Sequence, residues 1–501
     1  MRELELKFSL PASFSLSTFH SEAAGVSDIE ELPELLLRAI YYDTDDLRLA
    51  RSGVTLRYRS GEGDKSGWTL KLPSEDSQML AREELFFVGT PGHVPEAASD
   101  LVTAFARHAQ LKAVAALRTK RRRWTLLDSG GDRVAELSDD EVSIVEGRRV
   151  VARFRELELE ALSVGQEDLK RIGVELRNAG AMSAEPIPKA VRALGARATA
   201  PDDIPEPSDL SPASPAIIGV TAAIAQSLRR IVSNDPRTRL QDVEGVHQMR
   251  VGARRLRSDL GTFAPLIEAE RAAVLNDELK WLADALGEVR DLDVLEERLK
   301  GDARKIGVEL DDLWSNIEVR RIQSLDALDQ VLLSDRYKSL LDLIIEYARE
   351  PKPTPKAEGE CRVVLPPLAA AAWDRFVHRA RAVKRSDSDD SWHGVRIAAK
   401  RARYAAEAVA PSLPKSSRSV AERLGRLAEQ AQEILGIHQD AVTAAGIVHA
   451  YATAHRRDAS LNFSTGRLIE MQRRTARDAK ESFSNLVVVL GKKKNRSWPE
   501  G

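Results

Sequence analysis

Val246-His247-Gln248-Met249-Arg250-Val251-Gly252-Ala253-Arg254-Arg255-Leu256-Arg257 returns 146 residues later as Trp392-His393-Gly394-Val395-Arg396-Ile397-Ala398-Ala399-Lys400-Arg401-Ala402-Arg403. Steps of three, four and three put one histidine and three bases on a single helical stripe: His247, Arg250, Arg254 and Arg257, then His393, Arg396, Lys400 and Arg403. Positions three and four apart on a helix are surface neighbours, and like charges placed there repel. One such stripe is what a solvated helix face shows. Two copies in the same order indicate a duplicated helical unit whose cationic stripes face a shared polyanion. A second echo agrees: Leu286-Gly287-Glu288-Val289-Arg290-Asp291 and Leu435-Gly436-Ile437-His438-Gln439-Asp440 stand 149 residues apart.

Working outward, the 501 residues are too many for one ordinary core. A stretch rich in proline and small polar residues, 198–215, reads as an extended linker. It divides the chain into an N-terminal domain (1–200), a linker (201–214) and a helical domain (215–495). Pro351, Pro353 and Pro355 form a second break between the two copies of the repeat. With 43% hydrophobic and 30% charged residues the composition suits a soluble globular protein. The net charge of −2 means that any affinity for phosphate or nucleic acid must come from local clustering. The single cysteine, Cys361, excludes an internal disulfide framework and a cysteine-based zinc site, and fits a reducing compartment. Met1-Arg2-Glu3-Leu4-Glu5 lacks the apolar core of a signal peptide. No stretch approaches the roughly 18 uninterrupted apolar residues of a membrane span. A cytoplasmic protein without a membrane partner is expected.

In the first 200 residues, 2–8, 54–59, 68–72, 81–87, 118–126, 133–145 and 153–161 alternate with period two and read as strands, while 95–117 and 166–180 read as helices. That pattern predicts an antiparallel α+β domain. Alternation sorts the strands into faces: Glu3, Glu5 and Lys7 oppose Leu4, Leu6 and Phe8; Thr55, Arg57 and Arg59 oppose Val54, Leu56 and Tyr58; Glu156, Glu158 and Glu160 oppose Leu157, Leu159 and Ala161. A solvated polar face is the ordinary reading of any one of these strands. Taken together, however, their polar faces consist of carboxylate strands and basic strands. Neighbouring carboxylates repel unless a cation sits between them, and clustered bases repel unless an anion does. A hard divalent metal holding a phosphate chain resolves both conflicts.

Glu3-x-Glu5-x-Lys7 is followed in order by Tyr42-Asp43-Thr44, Leu56-Arg57-x-Arg59, Leu70-Lys71, Arg82-x-Glu84, the basic run Lys120 to Arg123, Glu156-x-Glu158-x-Glu160 and Lys189-x-x-Arg192. This ordered set resembles the CYTH family, the triphosphate tunnel metalloenzymes, over about residues 1–200. The resemblance implies an eight-stranded antiparallel β tunnel, or barrel, that binds a triphosphate or longer phosphate chain with Mg2+ or Mn2+. It implies Glu3, Glu5, Glu156 and Glu158 as metal ligands, with Glu160 as a further carboxylate. Lys7, Arg57, Arg59, Lys71, Arg82 and Glu84 become the catalytic set, and Arg121, Arg123, Lys189 and Arg192 the rest of the substrate grip. The chain departs from the family pattern twice. Ser138-Asp139-Asp140-Glu141 stands where the family carries an acidic turn, which leaves open which carboxylate serves, and Pro188 replaces the serine that precedes the lysine.

The helical half resembles the CHAD domain, an α-helical domain named for its histidines and often fused to CYTH. That resemblance implies two pseudo-symmetric helical bundles that bind inorganic polyphosphate between basic stripes. His247 and His393 would lie in the cavity, with Arg250, Arg254, Arg257, Arg396, Lys400 and Arg403 as contacts. Arg255 and Arg401 lie just off the stripe, Arg290, Arg375, Arg379 and Lys384 are further cations, and Asp291 and Asp440 would orient arginines or cap helices. A metal at the histidines is disfavoured, because no carboxylate follows on either stripe until Glu407.

The expected function is a metal-dependent triphosphatase, a phosphohydrolase acting on inorganic triphosphate or a nucleoside triphosphate, with a C-terminal domain that binds inorganic polyphosphate. Three alternatives stay open. A non-catalytic polyphosphate-binding or targeting protein would use both domains without turnover. A nucleic-acid binder would need aromatic stacking platforms, and aromatics are only 5% of the chain. Adenylyl cyclisation begins with the same grip on the phosphates and would need a nucleobase pocket that the sequence does not locate.

Overall fold

The computed structural model describes residues 4–11, 13–16, 25–61, 63, 66–73, 83–183, 187–206, 210–495 and 498. Two expected site residues, Glu3 and Arg82, lie outside the described residues. The chain divides into two compact units, Met1–Asp203 and Ile204–Gly501.

In unit 1 the strands are β1 (Glu5–Ser9), β2 (Asp28–Asp43), β3 (Thr55–Ser60), β4 (Gly67–Leu72), β5 (Glu83–Phe87), β6 (Lys112–Leu127), β7 (Arg133–Glu146), β8 (Arg149–Ala161) and β9 (Met182–Ser183). Short helices α1 (Arg48–Arg51), α2 (Glu96–Asp100) and α3 (Thr103–Ala106) precede α4 (Gln166–Asn178) and α5 (Lys189–Leu194). One antiparallel sheet runs β5-β4-β3-β2-β6-β7-β8-β1-β9. The expected eight-stranded closed tunnel gives way to a nine-stranded sheet in which β5 and β9 remain as edges among the described residues. β9 is two residues long and meets β1 only at Phe8 and Ser9, too short a ladder to carry the sheet round.

Two further expectations change. The helix read over 95–117 is α2 and α3, ended by Arg107 at φ 53°, after which the chain extends as β6. β2 is not among the expected strands. Pro33 falls in the register shift between Leu32 and Leu35, where a missing backbone donor is tolerated as a bulge.

One face of the sheet is apolar where α4 covers it. Phe8, Leu137, Leu157 and Leu159 pack against Leu169, Ile172 and Leu176 of α4. A Cβ on Gly173 would stand 2.9 Å from Leu6, so the helix lies directly on β1. The other face carries the charges. There α5 lodges Ala190 among Ala39, Tyr41, Leu117 and Val142, which fixes Lys189 over the carboxylate strands.

Unit 2 is all helical: α6 (Ala216–Arg239), α7 (Val243–Phe263), α8 (Ala269–Ile306), α9 (Asp311–Leu333), α10 (Asp335–Arg349), α11 (Cys361–Ala382), α12 (Asp389–Val409), α13 (Lys415–Ala454) and α14 (Ala459–Leu490). Starts of α6 to α9 recur at α11 to α14 after 145 to 148 residues, as the two motifs required. The equivalent chain entries bond reciprocally, Ala216 N donating to Gly359 O and Cys361 N to Ser214 O, both at 2.8 Å. α10 has no counterpart in the second copy. It docks on α6 through Tyr337, whose hydroxyl donates to buried Asp235 at 2.8 Å. By length and composition α6 could cross a bilayer, yet 56% of that stretch is buried within the unit.

Asp259 of α7 is fully buried, and its Oδ1 has no hydrogen-bond partner. Burial outweighs nearby Arg255 and pushes its carboxyl up to about 8 from the ordinary 3.8. The folded state therefore holds one more proton than the unfolded chain between those values. Stability should fall as pH rises through that window and level off above it, by about 1.4 kcal/mol per pH unit at most. Asp259→Asn should remove the slope. Its melting temperature should exceed the wild type's by more at pH 8 than at pH 4.5, and an equal difference at both would refute the assignment.

Candidate functional site

Strand register builds the charged face of unit 1. Lys7 stands opposite Glu158, Glu158 opposite Ser138, and Asp140 opposite both Glu156 and Arg121. On the other wing Arg57 lies opposite Tyr41 and Thr69, and Lys71 opposite Thr55 and Glu84. The sheet curls these wings round one cavity of about 350 Å3, whose wall includes Glu5, Lys7, Arg57, Arg59, Lys71, Glu84, Arg121, Arg123, Glu158 and Lys189. Glu156 and Arg192 are not on that wall and stand 3.4 Å from each other.

The acidic wing centres on Asp140, Glu156 and Glu158, one oxygen of each lying within 4.8 Å of the others. Lys189 Nζ stands 2.8 Å from an oxygen of all three. Arg121 donates twice to Asp140 at 2.7 Å and once to Glu158 at 2.8 Å. Lys7 donates to Glu158 at 2.8 Å and stands 3.5 Å from Glu5. Burial alone would raise the Glu158 pKa, but Lys189, Lys7 and Arg121 outweigh it and hold the carboxyl well below its usual range. Lys189 is raised in turn, burial opposing and Asp140, Glu158 and Glu156 prevailing. Glu156 differs. Lys189 and Arg192 lie near it, but neither meets hydrogen-bond geometry, so both its buried oxygens lack a donor.

On the basic wing Lys71 Nζ is 2.9 Å from Glu84, and Arg57 is 3.7 Å from the same carboxylate. The Nε atoms of Arg57 and Arg123 are buried without a hydrogen-bond acceptor. Acceptors without a hydrogen bond thus lie on one wing and donors without one on the other.

Of the Ser138–Glu141 stretch, Asp140 lies on the cavity wall. Period two places it on the lumen side with Ser138 and Glu136, whereas Asp139 faces outward and holds Arg122 and Arg155 at 2.8 and 2.7 Å. Parity on β7 carries that signal. Tyr41, which hydrogen-bonds Arg57, escapes the sequence reading with the rest of β2. Lys189, expected as a substrate contact, stands at the centre of the carboxylates rather than among the arginines.

In unit 2 the stripes of α7 and α12 come together, since these helices pack on each other. Arg250 Nη1 donates to Asp291 at 2.8 Å. Its guanidinium lies over Gly287, and that of Arg396 over Gly436, where a Cβ would stand 3.5 and 3.8 Å away. The same atom is orphaned in both copies: Nε of Arg250 and of Arg396 is buried without an acceptor. A cavity of about 650 Å3 is walled by Arg254, Arg257 and Lys400, with Arg375, Arg401 and Tyr404. His247, Arg250, His393, Arg396 and Arg403 are not on that wall. Arg403 is engaged by Glu407 and Glu429 at 2.7 and 2.8 Å, and Arg255 by Glu407 at 2.9 Å. His393 Nδ1 is 3.0 Å from Gln439.

Electrostatically the four central bases act on one another. Burial, then Arg254, Arg396 and Arg250, lowers Lys400 to about 6. Arg254 and Arg396 are lowered for the same reasons. His247 is lowered by burial and then by Arg290.

Two family models match the chain. The profile of the CYTH domain matches residues 1–192 and that of the CHAD domain residues 222–449. An uncharacterized protein of Mycobacterium tuberculosis is 30% identical over 519 residues, covering 98% of this chain and 96% of its own length. Among solved structures, PptA from Streptomyces chartreusis is similar at 23% identity and a TM-score of 0.46, over 55% of this chain and 99% of its own. The CHAD domain from the plant Ricinus communis is similar at 25% identity and a TM-score of 0.44, over 57% of this chain and 96% of its own.

Proposed function

This chain belongs to the family of two-domain proteins that join a CYTH domain to a CHAD domain, and from that premise we propose that unit 1 hydrolyses inorganic triphosphate or a nucleoside triphosphate and that unit 2 binds inorganic polyphosphate. The observation that carries the reading is the division of one cavity between a wing of orphaned arginine donors and a wing of clustered carboxylates. We take the protein to work in the cytoplasm, where its one cysteine, buried Cys361, stays a thiol.

Asp140, Glu156 and Glu158 would hold the metal. Their donor set is all oxygen, which suits Mg2+ or Mn2+, and the oxygens of Glu156, which accept no hydrogen bond, are open to a metal in place of the neighbouring Lys189 ammonium. A bound divalent ion supplies Lewis-acid charge at the phosphate oxygens. The chain's own groups do the rest. Arg57, Arg59, Arg121 and Arg123 grip the phosphates, with Nε of Arg57 and Arg123 free to donate. Glu84 fixes Lys71 as a point charge on the same wing. Lys7 and Lys189 stay protonated, so both remain donors near neutral pH. Phosphoryl transfer asks mainly for such positioning and neutralisation.

The test is incubation of the purified protein with inorganic triphosphate, ATP and long polyphosphate, with Mg2+, Mn2+ or a chelator. Phosphate release from a short substrate, lost with chelator, is expected. Binding of all three without turnover would favour a carrier, and a cyclic nucleotide product would favour cyclisation.

A further inference from the structure

The outward face of the unit 1 sheet, beyond the area covered by α4, carries a row of arginines that the tunnel does not use. Arg38 on β2 pairs directly with Arg118 on β6, Arg118 with Ser143 on β7, and Ser143 with Arg153 on β8. All three arginines are exposed and line a groove of about 770 Å3 together with Leu10 and Leu36. Like charges directly opposite across strands destabilise a sheet. Neighbouring bases on this face are neutralised: Lys120 by Glu34 at 3.1 Å, and Arg122 and Arg155 by Asp139. Among the described residues no carboxylate pairs with Arg38, Arg118 or Arg153. On β7 the outward series runs Asp139, Glu141, Ser143, so the acidic residue that would complete the pattern is replaced at this one position.

We propose that this row is a second, external site for an extended phosphate polymer, with Arg38, Arg118 and Arg153 as its contacts. Adjacent strands stand about 4.8 Å apart, so from β2 to β8 the row spans about 14 Å, more than one phosphate bridges. The ligand is therefore a chain lying across the strands. The inorganic polymer fits better than nucleic acid, because the outward row offers no ring for base stacking. Phe154, at the groove's edge, packs on the opposite face beneath Arg192. The choice of polymer rests on the function proposed above; the existence of an anion site does not.

Site-resolved arginine modification of the full-length protein by phenylglyoxal, read by mass spectrometry, tests it. Long-chain polyphosphate should protect Arg38, Arg118 and Arg153, inorganic triphosphate should protect Arg57 but not the row, and single-stranded DNA of matched charge should protect neither. Replacing the three arginines by glutamine should lower polyphosphate affinity by about tenfold and flatten its salt dependence, with triphosphate hydrolysis unchanged. If polyphosphate shields Arg254 but leaves the row fully reactive, the site is overturned while the function proposed for unit 2 stands. Equal protection by DNA would make the row a nucleic-acid surface. Failure of triphosphate to protect Arg57 would count against the tunnel and not against the row.

Discussion

Glu156→Gln should reduce metal-dependent triphosphate hydrolysis by about 10²–10³-fold, the loss typical of removing one preorganised electrostatic partner, with a smaller fall in melting temperature than Glu158→Gln. The residue is 1% exposed and both its oxygens lack a hydrogen-bond donor. Its carboxylate faces Lys189 at 2.8 Å and Arg192 at 3.4 Å, so the isosteric amide keeps the packing but forfeits those two ion pairs. Glu158→Gln should behave differently, because Glu158 accepts from Lys7, Arg121 and Lys189. Removing one partner of a buried ion pair costs about 3–5 kcal/mol, so activity and stability should fall together. Its acid dependence follows from the sign of the shift. Glu158 is held well below its usual value of 4.5, so its stabilisation is present above that value and is lost as pH falls through the folded-state pKa. Wild-type unit 1 should weaken in that acidic window, and the Glu158→Gln variant should lack that component. Metal titration by calorimetry separates the two roles. Wild-type Mn2+ affinity in Glu156→Gln, together with full turnover, would remove Glu156 from the metal site.

The cavity wall is legible in the sequence because period two is a local rule. Once Glu5, Lys7, Arg57, Arg59, Glu156 and Glu158 are placed on one face, antiparallel pairing has few ways to arrange them, and the register sets Lys7 against Glu158. β2 is hidden because Pro33 and the run Leu35-Leu36-Leu37 break the alternation. With it goes Tyr41, whose bond to Arg57 exists only across the ladder. Lys189 is readable as a cation of the site but not by its place, which depends on how α5 seats Ala190 in the sheet. In the helical half the repeat fixes the stripes, yet spacing cannot tell which bases find carboxylates. Arg403 finds Glu407 and Glu429, while Lys400 on the same stripe, 8% exposed, finds none.

That difference yields the largest effect expected of unit 2: polyphosphate binding should take up about one proton near pH 7.5 and weaken by close to tenfold per pH unit above neutrality. Lys400 is walled in by Arg254 and Arg250 from α7 and by Arg396 on its own helix, with Asp440 of α13 the only opposing charge of note. Burial and these arginines lower it to about 6, so the empty cavity holds it neutral at physiological pH. A phosphate chain reverses the balance by screening the arginines and pairing with the ammonium, which restores a pKa at or above the ordinary 10.5. The bound state then carries a proton the free state lacks, and affinity must fall as pH rises between the two values. His247, lowered by burial and Arg290 in the free protein, is not on the cavity wall beside Lys400, and a proton taken up there would survive replacement of Lys400. Calorimetry in buffers of different ionisation enthalpy counts the proton directly. Lys400→Arg supplies a group that stays charged, so it should bind without uptake and with a flat profile from pH 7 to 9. Lys400→Met should also bind without uptake, but more weakly at pH 6, where the wild-type lysine is partly charged. An undiminished slope in Lys400→Arg would show that the proton is taken up elsewhere.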